Sequence, residues 1–279
     1  MGILNVTPDS FSDGGSYLTL DAALRRVEDI LTEGGVVVDV GGESSRPRGS
    51  VYGEGAEAVA EDVELRRVLP IVKAIADRFP EALISIDTYK PGVARAVLAA
   101  GAHIINDVTG LRYTTETAEI AAEYGAPLIV MHSLGKPGMT PETHEYDDVV
   151  RDVRSSLEAS VERARTAGVR GVVVDPGFGF GKSPQENLTL IREVQALLEL
   201  GRPVLIGVSR KSTIGTVLGS PDAPVPVQAR LFGSLGATAV AVLGGASIVR
   251  THDVRPTVEM VRSIGAVMHS GEWNSQSSN

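Results

Sequence analysis

The 279-residue chain contains no cysteine. Disulfides, thiolate-held zinc, iron–sulfur clusters and a thiol nucleophile are therefore excluded. Aromatic residues make up only 4%, so aliphatic side chains must fill the interior. No apolar run reaches the roughly 18 residues that a membrane helix needs. The start, MGILNVTPDS, has neither the basic stretch nor the long apolar core of a secretory signal. Position 6, where a myristoylation signal carries Ser or Thr, is Val6. The expectation is a cytoplasmic protein with no membrane partner. Basic charge is also scarce: 26 Lys and Arg against 35 Asp and Glu leave a net charge of −9. That balance argues against nonspecific nucleic-acid binding. It leaves room for a small anionic substrate, because a few cations in one cleft outweigh a repulsive global field at short range.

What is present is an ordinary globular composition, 43% hydrophobic and 22% charged, with 31 glycines for tight turns. Length alone suggests two domains, but α/β barrels of this size form one. Short β-branched runs alternate with longer segments of helical period. Strands are predicted at 3–6, 36–40, 83–88, 103–108, 127–132, 172–176, 204–209 and 247–252. Most are continuous apolar runs, as expected of parallel strands covered on both faces. Helices are predicted from Asp21 to Gly34-Gly35, from Pro91 to near Gly101, and at 61–79, 115–124, 146–167, 184–200, 227–243 and 255–267. Eight β–α units point to a single α/β domain of (β/α)8 (TIM) barrel type over residues 1–268. Residues 269–279 read as a polar, disordered tail. A doubly wound open sheet is the alternative, but the Gly-rich turn it carries after its first strand is missing. The long loops 7–20, 41–60 and 133–144 all follow strands, so they belong to the C-terminal mouth of the barrel.

Polar residues recur at the C-terminal strand ends: Asn5, Asp39 and Glu43, Asp87, Asn106-Asp107, His132, Asp175, Ser209-Arg210-Lys211, and Arg250, His252 and Asp253. In a barrel these converge on one mouth, where active sites of this fold lie. Asp87, Asn106, Asp175 and Lys211 offer donors and acceptors that suit a flat heterocycle with amide-like and amino groups. Arg46, Arg250, His252 and Ser45 suit an anion, since guanidinium forks match phosphate or carboxylate oxygens. Asn5 offers a neutral oxygen to Mg2+, which takes one or two protein ligands plus substrate phosphates. The bare chemistry is a heterocycle joined to a phosphorylated group. His132 reads as structural or as supporting the site residues from behind, Lys182 as a solvated loop charge, and Arg210 as turned outward into a salt bridge.

Seven stretches carry a resemblance: 5–15 (NVTPDSFSDGG), 41–47 (GGESSRP), 85–91 (SIDTYKP), 105–110 (INDVTG), 175–182 (DPGFGFGK), 207–212 (GVSRKS) and 250–254 (RTHDV). In this order they resemble the bacterial dihydropteroate synthase family, over essentially the whole chain to about residue 268. The resemblance implies a homodimeric (β/α)8 barrel assisted by Mg2+. It implies the joining of 6-hydroxymethyl-7,8-dihydropterin diphosphate to 4-aminobenzoate, giving 7,8-dihydropteroate and pyrophosphate in folate synthesis. An aniline nitrogen is a weak nucleophile, so loss of pyrophosphate before attack is the expected course. By the same resemblance Asp87, Asn106, Asp175, Lys211, Met131 and Phe180 hold the pterin. Ser45, Arg250 and His252 take the diphosphate, with Asn5 on the metal. Ser209, Arg46, Pro47 and Lys211 form the aminobenzoate pocket. Phe11 and Asp13 close over the reaction and exclude water. The implied catalytic set is thus Asp87, Lys211, Arg250, His252, Asp13 and Phe11.

Two features depart from the family. The sequence begins at strand 1, where relatives carry a short preceding segment whose loss is expected to affect stability rather than chemistry. Residues 48–60 (RGSVYGEGAEAVA) form a longer loop than expected, with Arg48 in place of a usual Gly. Sulfonamides mimic aminobenzoate and inhibit this family, which includes drug-insensitive forms. A bulkier rim at this loop is therefore expected to discriminate against the drug. Two rival functions are a methyltetrahydrofolate-binding methyltransferase barrel and a non-catalytic pterin-binding protein. The first has no need of Arg250 and His252 as a diphosphate pair. The second would tolerate loss of Asp13 or Arg46, and both are present.

Overall fold

The computed structural model describes residues 1–6, 16–43, 58–136 and 144–270. Among the described residues eight strands form: β1 (Gly2–Asn5), β2 (Val37–Gly41), β3 (Leu83–Asp87), β4 (Ile104–Asp107), β5 (Leu128–Met131), β6 (Val172–Asp175), β7 (Leu205–Ile206) and β8 (Ile248–Val249). β1 to β6 lie side by side in chain order, all parallel, and β7 pairs in parallel with β8. Two single-residue parallel bridges complete the ring. Val174 of β6 meets Val204 before β7, and Thr251 after β8 meets Gly2 of β1. The chain is therefore an α/β protein with a closed (β/α)8 barrel, not an open doubly wound sheet.

Alternation along the strands separates two environments. In β3, Ile84 and Ile86 are fully buried against the helical layer, while Ser85 and Asp87 face the other way. β2 does the same with Val38 and Val40 against Asp39 and Gly41. The register then assembles the inner side in rungs. Ile3, Asp39, Ser85 and Ile104 are consecutive partners; two residues up, so are Asn5, Gly41, Asp87 and Asn106. Beyond them Met131 pairs with Asp175. Aliphatic residues thus bind strands to helices, while the inner rungs near the C-terminal ends are polar.

The helices are α1 (Ser16–Thr32), α2 (Glu61–Arg78), α3 (Pro91–Ala99), α4 (Glu116–Glu123), α5 (Val149–Thr166), α6 (Pro184–Arg192), α7 (Gln195–Leu198), α8 (Ser212–Leu218), α9 (Leu231–Leu243) and α10 (Val254–Met268). Several boundaries differ from those expected. Asp21 does not cap α1; the helix runs back to Ser16 because nothing in 16–20 breaks it. The segment 146–167 starts at Val149, where Asp148 accepts from the backbone of Val150 and Arg151 at 3.1 and 3.0 Å. The segment 184–200 divides at Glu193 and Val194 into α6 and α7. The segment 227–243 opens with a 3-10 turn, Val227–Ala229, before α9. The short α8, with Gly215 inside it, is absent from the sequence expectation because seven residues carry too little periodicity.

Candidate active site

The polar rungs meet at Asp39. Its carboxylate is fully buried. It accepts from Ser85 Oγ at 2.6 Å, from Arg250 Nε at 2.7 Å and, at longer range, from Asn106 Nδ2 at 3.3 Å. The other arm of Arg250 donates to Asp87 Oδ2 at 3.2 Å. One guanidinium thereby ties β2 and β3 to the end of β8. Burial pushes the Asp87 carboxyl up to about 8, with Arg250 pulling the other way. Gly41 lies between Asn5 and Asp87, and a Cβ there would stand 3.7 Å from Asn5 Oδ1 and 3.9 Å from Asp87 Oδ2. The missing side chain leaves the mouth open between those two oxygens.

The second half of the site grows from β6. Asp175 Oδ1 accepts from Gly177 N at 2.7 Å, and burial raises its carboxyl. Beyond it the chain turns through Gly177, Gly179 and Gly181, all at positive φ. Only glycine enters the first of these freely, because a Cβ on Gly177 would stand 1.9 Å from the His132 carbonyl oxygen. The turn brings Phe180 against Met131 and Val108, a small apolar cluster separate from the main core. Lys211 lies across this loop: its stem passes Gly179, its ammonium donates to the Phe178 carbonyl and sits 4.6 Å from the centre of the Phe180 ring. Burial lowers Lys211 to about 8, opposed by Asp175 and Asp87. An apolar wall, a carboxylate and an ammonium together match the needs of a flat, amino-substituted ring.

The structure brings together Asn5, Asp87, Asn106, Met131, Asp175, Phe180, Lys211 and Arg250. Ser209 and His252 stand beside them, joined by a 3.2 Å bond from the His252 amide to Ser209 Oγ. His252 also lines a recess of about 360 Å³ with Arg26, Glu33, Arg210 and Asp253. Its imidazole is pushed down to about 4 by burial and by Arg250 and Arg210. Phe11, Asp13, Ser45, Arg46 and Pro47 lie outside the described residues, as does 48–57 of the long loop.

Other polar strand-end residues serve the scaffold. Asp107 accepts from the amides of Thr109 and Leu111 and shapes the next turn. His132 is buried, and burial together with Lys182 and Arg112 pushes its imidazole down to about 2. Arg210 pairs outward with Asp253, Nε to Oδ2 at 2.9 Å. Glu43 and Glu64 share the Lys90 ammonium, a buried trio absent from the sequence expectation. Lys182 overturns its reading as a solvated charge: it is only 4% exposed and donates to two backbone carbonyls. The available signal was its place at the end of a loop with three glycines, which leaves carbonyls to be satisfied.

Among the described residues no group of three or more His, Asp or Glu is placed to hold a metal. Asn5 Oδ1, a neutral oxygen near Asp87, fits a Mg2+ that takes most of its ligands from phosphate and water.

The profile of the pterin binding enzyme family matches residues 1–252. The chain is 42% identical over 274 residues to the dihydropteroate synthase of Escherichia coli K12, covering 98% of this chain and 92% of that one. The solved Yersinia pestis dihydropteroate synthase with a sulfonamide drug is 41% identical, with a TM-score of 0.85, covering 96% of this chain and 93% of that one. The Xanthomonas albilineans enzyme in complex with 7,8-dihydropteroate is 38% identical, with a TM-score of 0.82 and the same coverage of 96% and 93%. The chain belongs to the pterin-binding enzyme family, in its dihydropteroate synthase branch. Among the described residues no helix is long and apolar enough to cross a membrane.

Proposed function

We propose that the protein joins 6-hydroxymethyl-7,8-dihydropterin diphosphate to 4-aminobenzoate, releasing pyrophosphate. The observation that carries this reading is the mouth itself: the Val108–Met131–Phe180 wall with Asp175, Asn106 and Lys211 beside the Arg250–Asp87 pair. The family relationship supplies the reaction class.

The pterin lies on the apolar wall, its amino and amide edge read by Asp175 and Asn106. The methylene–oxygen bond breaks first, and its electron pair leaves with the diphosphate. The electron-rich ring carries the resulting cation beside Asp87, whose raised carboxyl Arg250 and the growing positive charge both pull toward its ionised form. Arg250 and His252, with Ser45, receive the departing negative charge. A Mg2+ held by Asn5 and the phosphate oxygens would neutralise part of that charge. The aminobenzoate nitrogen, placed by Ser209, Arg46, Pro47 and Lys211, then donates its lone pair to the methylene carbon and loses a proton. Phe11 and Asp13 keep out water, the competing nucleophile.

A stripe of exposed apolar side chains supports a homodimer. Phe232 is 82% exposed, and Val240 and Leu243 follow it on one face of α9. Val217 and Leu218 of the adjoining α8 extend the patch. The long loop 48–60 remains our candidate for sulfonamide discrimination. Shortening it should lower the sulfamethoxazole inhibition constant relative to the 4-aminobenzoate KM; an unchanged ratio would sink the idea.

The direct test is pyrophosphate release from the dihydropterin diphosphate with Mg2+, with and without 4-aminobenzoate. Release should depend on 4-aminobenzoate and fall at least about a hundredfold in Lys211→Ala, the loss expected for a charged group in contact with substrate. Absence of release despite pterin binding would overturn the synthase reading.

A further inference from the structure

Lys182 is a buried lysine that the reaction described above does not use; burial lowers its amine to about 7, with Asp175 pulling the other way. Its ammonium donates to the carbonyls of Gly177 at 2.9 Å and Phe180 at 3.0 Å. No ion pair with a carboxylate forms at it among the described residues; Asp175 and Glu186 act on it only through space. Burying a lysine with no carboxylate partner is costly, and two backbone carbonyls are what hold it. The site therefore gains something from it beyond charge balance.

The gain is the shape of the loop. Gly177 and Phe180 are the two ends of the turn that seats Lys211, and Lys182 clamps both carbonyls. Asn187 finishes the frame. Its Oδ1 accepts from Gly179 N at 2.7 Å, and its Nδ2 donates to the Lys182 carbonyl at 3.1 Å and to Thr213 Oγ1 at 3.1 Å. The Lys211 stem passes Gly179, and its ammonium meets the Phe178 carbonyl. The loop's carbonyls thus accept from two lysines: Gly177 and Phe180 from Lys182, and Phe178 from Lys211.

We propose that Lys182 is a positioning residue for the synthase reaction. It holds the 177–182 turn so that Phe180 and the Phe178 carbonyl stand where Lys211 and the pterin need them. The proposal rests on the reading of Lys211 as a substrate-binding residue.

The test is a double-mutant cycle on the whole protein, with Lys182→Met, Lys211→Ala and the pair. Steady-state kcat and KM for both substrates are measured, together with the melting temperature. Lys182→Met keeps the side-chain length but removes the donors. It should raise the KM for the dihydropterin diphosphate by about tenfold, the scale of a lost charge-assisted hydrogen bond. The KM for 4-aminobenzoate should move less. In the Lys211→Ala background the same substitution should add little, because its effect passes through Lys211. Lys182→Gln, which keeps a donor, should recover part of the loss and also serves if Lys182→Met does not fold. A lowered melting temperature with both KM values unchanged, or a full additive loss in the double variant, would overturn the proposal. An unchanged KM in Lys211→Ala alone would instead overturn the reading of Lys211 on which it rests.

Discussion

His252 shows how a single residue changes character with its surroundings. Burial and the cations Arg250, Arg210 and Arg26 hold it down to about 4, against the weaker opposing pull of Asp253. It is therefore neutral at pH 7. A diphosphate brings charge of the opposite sign and must raise it. Binding of inorganic pyrophosphate with Mg2+ at a pH of about 6 should then take up a proton. Calorimetry in buffers of different ionisation enthalpy measures this uptake, which should vanish in His252→Gln. Equal apparent heats in all buffers would show that the imidazole does not meet the anion. At the same scale, Asp39 marks the limit of sequence reading. A carboxylate between Val38 and Val40 stands out within an apolar run. Its partner Arg250 lies 211 positions later, and only closure of the ring brings the two together. Asp87, Asn106, Asp175 and Lys211 were legible because polar residues at strand ends must share one mouth in this fold.

At the scale of elements, the connection from β6 to α6 concentrates more of the site than any strand. Its start is fixed by Asp175 accepting from Gly177 N, and its end by a capping box between Ser183 and Glu186. Pro184 in the first turn of α6 adds a preset φ. Gly177→Ala should be severe. Its φ of +68° is strained for alanine, and the added methyl meets the His132 carbonyl. We expect a loss of at least about 2 kcal/mol in urea unfolding, together with loss of pterin binding. A variant with native stability would show that the turn can relax away from His132. Element identities were readable from β-branched runs and helical period, since each needs only local information. The breaks at Glu193 and before α9 were not, because nothing in those stretches is a strong helix breaker. Packing, not propensity, divides them.

At the scale of the whole molecule, the exposed stripe on α9 predicts the assembly. Phe232→Glu places a charge in the middle of the patch and should convert a dimer to a monomer in sedimentation or light-scattering measurements. A native protein that is already monomeric at high concentration would rule that pairing out. The ring itself joins at the seam between β8 and β1, where Thr251 bridges Gly2. Just before that seam, Arg250 reaches across to Asp39 and Asp87. The guanidinium that we propose receives the leaving group therefore also rivets the barrel shut. On that reading, substrate affinity and mechanical cohesion draw on one guanidinium. A substitution that frees Arg250 to grip its ligand harder would do so by loosening the seam, so the two properties cannot be tuned independently at this residue.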